Sequence, residues 1–205
     1  MKYINWLILI GFSFMASGCA VKQLKKDYSL SKNSTETVFV MGVKSKNKDI
    51  NADRYKPLMW PSDIKSDAYV IEDMWKNAAH YDFPVNGYIV SSATGNDHIA
   101  FKSIELHSKD KESIIAQKRI CRGQKAPIFY LPKGEVVYLG DINLEFKNGE
   151  IKYNIVQNLK SAKSFIDKNY PKLKGRLKST KMNILYSSTP CYDPQVGYIP
   201  IYIPM

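Results

Sequence analysis

The sequence predicts a mostly β protein, either an antiparallel β-sandwich or a partly open barrel with one or two short helices. Short runs rich in β-branched and aromatic residues recur along the chain, and turn sequences containing Gly, Pro or Asn separate several of them. Only one segment carries a clear helical stripe. Seven or so strands, many joined by short turns, fit this fold class.

The first predicted strand is TETVFVMGVK, residues 35–44. Val38 and Val40 alternate with Phe39 and Met41, so apolar side chains point to both sides of the strand. We therefore expect both faces of this strand to be covered.

Residues 45–86 give no single prediction. A polar loop is followed by YKPLMWPSD, in which two prolines bracket an apolar pair and a tryptophan. The apolar spacing in residues 67–83 suits a short helix, although the run AYVI within it equally suits a strand. We expect a short helix or an irregular insertion here.

Strand patterns return from Gly87. Residues 87–94 and 98–106 flank the turn sequence Gly-Asn-Asp, and residues 126–142 form two strands around Pro-Lys-Gly. Residues 107–123, between these pairs, are polar around one apolar pair and are predicted to form an excursion.

A hairpin and a helix follow. In INLEFKNGEIKYNIV, Asn148-Gly149 suits a type I′ turn between two alternating strands. Asn158 is placed to cap a helix with an apolar stripe, and Pro171 ends that helix. Residues 181–186 are predicted as the last strand.

The N-terminus has the features of an export signal. Lys2 is followed by a nearly continuous apolar run that ends at Met15 and is shorter than the roughly 20 residues that a membrane-spanning helix needs. The small residues Ala16-Ser17-Gly18 then lead directly into Cys19. This sequence resembles the lipobox of bacterial lipoproteins, with Ala16 where that family usually has Leu.

The resemblance implies that the signal is cut before Cys19 and that this cysteine is acylated, making it a membrane anchor. Two or more acyl chains hold a protein stably at a bilayer. Residue 20 is Ala rather than the Asp that retains lipoproteins of enterobacteria-like systems in the inner membrane, so the resemblance favours the outer membrane.

The predicted organisation therefore has four parts. They are a signal peptide at 1–18, a flexible polar tether at 19–35, a β-rich domain at 36–187 and an extended Pro- and Tyr-rich tail at 188–205.

Two cysteines remain after Cys19. Because an exported chain meets oxidising conditions, Cys121 and Cys191 are expected to form a disulfide. The alternatives are free buried thiols or metal ligands, but no cysteine or histidine spacing typical of a metal site supports the latter.

The chain is basic. Removing residues 1–18 removes one of 30 basic and none of 19 acidic residues, which leaves a net charge of +10. Such a balance favours anionic lipids or glycans as partners, or simply a soluble surface; nucleic acid is not expected for an exported protein. The densest basic group, a candidate anion-binding site, consists of Lys160, Lys163, Lys168, Lys172, Lys174, Arg176, Lys178 and Lys181.

No catalytic motif is recognisable. The three histidines lack zinc-binding spacing, and the chain has neither a nucleophile-elbow sequence nor a glycine-rich phosphate loop. We therefore predict no catalytic residues, no metal and no cofactor, although a triad that assembles only in space is invisible in sequence.

The stretch 126–173 resembles small uncharacterised lipoproteins of Gram-negative bacteria. That pattern comprises a strand, a Pro-x-Gly turn, a Tyr-containing strand ending in Gly, a hairpin, and a helix ending in Tyr-Pro. The matching residues are Pro132, Gly134, Tyr138, Gly140, Phe165, Tyr170 and Pro171. The resemblance implies a β-rich envelope lipoprotein and no named activity.

Three functions are compatible with the sequence. The first is an outer-membrane-anchored lipoprotein with a non-catalytic binding or scaffolding role, possessing an envelope protein partner. The second is an envelope hydrolase acting on glycan, peptide or lipid. The third is a binder of anionic glycolipid or glycan through the basic group.

Overall fold

The computed structural model describes residues 23–71 and 79–191. Strands dominate this part of the chain, and it contains one α-helix, so the predicted fold class is confirmed. The strands are β1 (Glu36–Ser45), β2 (Tyr55–Lys65), β3 (Ala68–Ile71), β4 (Tyr88–Thr94), β5 (Asp97–His107), β6 (Ile114–Arg119), β7 (Lys125–Leu131), β8 (Val136–Lys147), β9 (Glu150–Val156), β10 (Leu177–Ser179) and β11 (Met182–Ser187). The helix is α1 (Leu159–Asn169).

The first sheet has the order β10-β8-β1-β4, and β9 pairs with the second half of β8. Its pairing is mixed, because β1 and β10 both run parallel to β8, whereas β4 and β9 run antiparallel to their partners. The sequence predicts an antiparallel arrangement, and the parallel pairs depart from it. Parallel partners need long connections, so local turn patterns do not reveal them.

The second sheet closes on itself. Its strands follow the order β2-β3-β11-β7-β5-β6, and an additional pairing joins β2 to β5. The strand β2 achieves this by pairing with β5 through residues 55–61 and with β3 through residues 62–65. The path β5-β2-β3-β11-β7-β5 is therefore a small barrel, and β6 extends from it.

Two apolar cores lie on opposite faces of the first sheet. Phe39 and Met41 of β1 point into the main core between the two sheets, and the intervening Val38 and Val40 point outward beneath α1. All four side chains are fully buried, so the expectation that both faces of this strand are covered is confirmed.

The turns play two different roles. The hairpin of β8 and β9 forms as predicted, with Asn148 and Gly149 at φ values of 54° and 79° and Lys147 paired with Glu150. The turns at 95–96 and 132–135, by contrast, carry the chain from one sheet to the other, because β4 and β8 belong to the first sheet and β5 and β7 to the second.

Three strands, β2, β6 and the short β10, were not predicted, and one expectation is wrong where it can be compared. Residues 55–65 form β2 despite Pro57 and Pro61, and residues 114–119 form β6 instead of an irregular excursion. Residues 68–71 form β3 rather than the start of a helix, because they pair with β2 and β11. Residues 72–78 lie outside the described part of the chain.

The described part of the expected tether, residues 23–35, is docked on the domain. The Leu24 amide donates to the Val90 carbonyl at 2.8 Å, which extends the first sheet beyond β4, and Leu30 is buried in the core beneath α1. This corrects the expectation of a flexible tether up to residue 35. Backbone hydrogen bonds hold the segment, and its polar composition does not reveal them.

Cys121 and Cys191 are at disulfide distance, with their Cα atoms 5.0 Å apart. Backbone bonds beside the pair, from the Arg122 amide to Thr189 and from the Gly123 amide to Ser187, hold the two segments together. The bridge links the end of β6 to the chain that follows β11. The remainder of the predicted tail, 192–205, lies outside the described residues.

We predict that a disulfide joins Cys121 to Cys191 in exported protein. Non-reducing peptide mass mapping should recover the two cysteines in one linked pair, and replacing both with Ala should lower the free energy of unfolding by about 2–4 kcal/mol. The mature chain carrying Cys19→Ser is the matched control and should retain full stability. Two free thiols at positions 121 and 191 would contradict the prediction.

A second prediction concerns His80, which is fully buried. Its Nε2 lies 2.9 Å from the Asp82 carbonyl oxygen, and its Nδ1 has no hydrogen-bond partner among the described residues. Burial lowers the pKa of His80 from 6.5 to about 4. His80 therefore becomes protonated near pH 6.5 in the unfolded chain but only near pH 4 in the folded protein.

Stability should accordingly fall as the pH falls from 6.5 towards 4. Equilibrium denaturation should show a loss of about 1–2 kcal/mol between pH 6.5 and 5. A His80→Gln variant should be less stable at neutral pH but should lose this part of the pH dependence, whereas His98→Gln should retain it. An unchanged slope in His80→Gln would show that His80 is not responsible.

Candidate functional site

The helical side of the first sheet brings together most of the residues that the sequence singled out. Asn158 caps α1 by accepting a hydrogen bond from the Ser161 amide at 3.4 Å. Ala162 and Ile166 are fully buried against the valines of the first sheet, and Phe165 stacks on Tyr88 with ring centroids 4.1 Å apart. The opposite side of the helix faces solvent.

A buried carboxylate lies beneath the start of this helix. Asp141 is completely inaccessible, and its carboxylate accepts hydrogen bonds from the Tyr138 hydroxyl and the Lys44 ammonium group. The Tyr138 oxygen in turn accepts a hydrogen bond from the Asn158 amide at 3.2 Å. Burial, together with the hydrogen bond to Asp141, raises the pKa of Tyr138 well above its usual range, so this hydroxyl remains a donor.

Gly42 makes room for this carboxylate. It is paired with Asp141 across β1 and β8, and a Cβ atom at position 42 would lie 2.0 Å from Oδ1 of Asp141. Any side chain there would push the carboxylate away from Tyr138 and Lys44. The network therefore depends on a position that carries no side chain.

The docked N-terminal segment lies beside the other end of α1. The Gln23 side-chain amide donates to the Tyr88 carbonyl at 3.2 Å, and its oxygen accepts from the Val90 amide at 3.0 Å. The hydroxyl of Tyr170, which follows α1, donates to the Leu24 carbonyl at 3.3 Å. The segment therefore contacts both β4 and the residue that ends the helix.

The lysines of the predicted basic group are exposed, but not all of them lie on this side: Lys178 pairs with Val137 of the main core and therefore points to the opposite face of the first sheet. Lys160, Lys163 and Lys168 are exposed on α1. The exposed lysines of the following segment are Lys172, Lys174, Lys178 and Lys181. Lys178 forms an ion pair with Glu135 at 3.0 Å, and the group contains one acidic residue, Asp167, whose carboxylate accepts from the Gly175 amide.

Arg176 differs from the lysines because it is half-buried and has a structural role. Its guanidinium donates to the Leu30 carbonyl and, at 3.0 Å, to the Gly134 carbonyl. It therefore fastens the N-terminal segment to the turn before β8. Its sequence position groups it with the lysines, because composition does not distinguish a solvated cation from one bound to backbone oxygens.

Two basic residues of this surface were missed. Lys25 and Lys26 are exposed and directly follow Leu24, whose carbonyl is bonded to Tyr170. They fall in the segment 19–35, which the sequence predicts to be a flexible tether. We call the exposed lysines of α1, together with Lys172, Lys174, Lys25 and Lys26, the basic face.

The ring hydrogen bonds of the histidines in the described part of the chain go to backbone carbonyls and one carboxylate. His107 is buried, and both ring nitrogens are occupied, Nε2 by the Glu105 carboxylate at 2.9 Å and Nδ1 by the Lys111 carbonyl at 3.2 Å. Gln117 donates to the same carboxylate at 3.0 Å. Within residues 23–71 and 79–191, the histidine rings have no hydrogen bond to a hydroxyl or a thiol.

An apolar groove of about 380 Å³ lies where β9 of the first sheet faces β7 and β11 of the second. Its lining includes Pro127, Tyr153, Met182 and Ile184, and the Ile184 side chain is 54% exposed. The groove gives the domain an accessible apolar surface away from the basic face.

Comparison with protein families, curated proteins and solved structures found no match. In the described residues, no group of three or more His, Cys, Asp or Glu side chains is positioned to hold a metal ion. No helix within residues 23–71 and 79–191 has the length and apolar character that a membrane crossing requires. Cys19 and the preceding Ala16, Ser17 and Gly18 lie outside these ranges.

We predict that Gly42→Ala destabilises the protein by about 2 kcal/mol or more, because the new methyl group displaces a buried, hydrogen-bonded carboxylate. Chemical denaturation measures the loss. The matched test is a double-mutant cycle with Asp141→Ala, in which the steric conflict is absent. Gly42→Ala should cost substantially less in that background, and equal costs in both backgrounds would exclude a conflict with Asp141.

Proposed function

We propose that this protein is a lipid-anchored, non-catalytic component of a Gram-negative cell envelope, held most favourably at the outer membrane through acylated Cys19. The observation that carries the proposal is the sequence Ala16-Ser17-Gly18-Cys19 at the end of a short apolar run. In this proposal, the β-rich domain binds or scaffolds an envelope protein partner.

The surroundings of His107 and His80 favour a binding role over the hydrolase alternative. A general base needs a ring nitrogen that is free to take a proton from a nucleophile or water. The carboxylate of Glu105 and a backbone carbonyl instead occupy both nitrogens of His107. His80 contacts a backbone carbonyl and is sealed from solvent.

The apolar groove supports a protein partner. Exposed apolar side chains that line a concave surface are typical of interaction sites. Ile184 and Met182 are 54% and 37% exposed at this groove. A partner that inserts apolar side chains here would remove that surface from water, whereas the basic face offers no comparable apolar area.

The anchor is tested by metabolic labelling. Cells given a labelled fatty acid should incorporate it into the wild-type protein, which should fractionate with outer membranes. A Cys19→Ser variant should lose both the label and the membrane association. The matched control replaces Cys121 and Cys191 with Ala, which should leave the label in place. Incorporation into Cys19→Ser would overturn the assignment of Cys19.

The binding role is tested by chemical crosslinking in intact envelopes, followed by recovery of the protein under denaturing conditions. We expect a specific protein partner whose crosslink is lost in Cys19→Ser and weakened by Ile184→Lys. Recovery without any protein partner would contradict the scaffolding role while leaving the anchor assignment intact.

A further inference from the structure

The basic face and the start of the docked segment lie next to each other. The Gln23 side-chain amide lies 3.4 Å from the Tyr170 hydroxyl, and Tyr170 stands between Lys168 and Lys172 in the sequence. The Leu24 carbonyl accepts from the same hydroxyl, which places Lys25 and Lys26 beside this end of the helix. The chain thus enters the domain at the basic face.

The position of Gln23 limits where Cys19 can be. Three residues lie between them, and a fully extended chain covers at most about 3.3–3.6 Å per residue, so the chain length limits the distance from Cys19 to Gln23 to roughly 14 Å. Several hydrogen bonds fix Gln23 and Leu24 to the domain. The domain therefore turns less freely about an anchor at Cys19 than it would on a long tether.

The exposed charge on this face is mostly positive. Seven exposed lysines stand against two acidic residues of the same segments, Asp27 and Asp167, and the carboxylate of Asp167 already accepts a backbone hydrogen bond. Exposed lysines close to an anionic bilayer are attracted to it, and the attraction falls off within a Debye length of about 8–10 Å. A free domain on a long tether would spend little time within that distance.

We propose that the basic face rests on anionic phospholipid headgroups of the membrane that holds Cys19. This inference rests on the proposed lipid anchor for its geometry. The docked segment fixes which side of the domain meets the bilayer, and the lysines supply the second attachment that holds it there. The β7-β9-β11 groove lies on other elements and remains available to a protein partner.

The first experiment isolates the lipid contact from the anchor. Mature protein carrying Cys19→Ser is sedimented with phosphatidylcholine vesicles that contain or lack phosphatidylglycerol. Binding should require phosphatidylglycerol and weaken as salt is raised. Each lysine near the surface strengthens such binding severalfold, so a fourfold variant should bind about tenfold more weakly or worse. That variant changes to Gln the residues Lys163, Lys168, Lys172 and Lys174.

The matched control removes the same charge elsewhere. It changes to Gln four exposed lysines in or beside the β1-β2, β2-β3, β5-β6 and β8-β9 connections, namely Lys46, Lys65, Lys109 and Lys147. This variant should bind nearly as well as the unsubstituted chain. Equal losses in both variants, or equal binding to vesicles without phosphatidylglycerol, would overturn the proposal. Thermal denaturation confirms that both variants fold, since exposed substitutions of this kind change stability little.

The second experiment tests the orientation of the lipidated protein. Lysine acylation followed by mass spectrometry compares lipidated protein in phosphatidylglycerol vesicles with the Cys19→Ser form in solution. The lysines of the basic face should be protected in vesicles and the four control lysines should not. Uniform reactivity, or protection of the control set, would overturn the proposed orientation. A failure of lipidation itself would appear in the labelling experiment and would leave the vesicle-binding result unaffected.

Discussion

The fit of the Asp141 carboxylate opposite Gly42 is the constraint on which the helical half of the structure depends. A carboxylate with no access to water is tolerated only when hydrogen bonds and a cation replace its hydration, and Tyr138 and Lys44 supply these. The Tyr138 oxygen also accepts a hydrogen bond from the backbone amide of Asn158, the residue that caps α1. One buried group thereby fixes the register of two parallel strands and the starting point of the helix that covers them.

The two sheets differ in how their edge strands are covered. Most strands of the second sheet pair on both sides because the sheet closes into a small barrel, whereas in the first sheet the N-terminal segment lies along the edge strand β4. Exposed strand edges favour pairing with other chains, so both arrangements reduce the edge available for such pairing. The segment that covers β4 is also the one that brings the chain to the basic face.

The elements that could be predicted from sequence are those with local causes. The β8-β9 hairpin follows from Asn148-Gly149, and α1 follows from its cap, its apolar stripe and Pro171.

The strand β2 was missed because its prolines argue against a sheet. The backbone amide of Met59 donates to the His80 carbonyl, on the side of β2 away from β5. Backbone amides two residues apart in a strand point to the same side, so the nitrogens of Pro57 and Pro61 also point away from β5 and no hydrogen bond to β5 is lost. The parallel pairs and the contact of Leu24 with Tyr170 join distant parts of the chain, and no short pattern encodes them. The basic group was visible in the sequence, but its position beside the chain entry was not.

The contact between Gln23 and Tyr170 spans 147 residues and therefore has a consequence for the order of events during synthesis. A chain emerges N-terminus first. The segment that leads into the domain is made early, yet its binding surface is incomplete until the helix near the end of the chain has formed. The hydrogen bonds of this segment to Tyr88 and Val90 can form once β4 has been made, but those to Tyr170 can form only when nearly the whole protein exists. A chain truncated before α1 would keep the first set of contacts and lack the second.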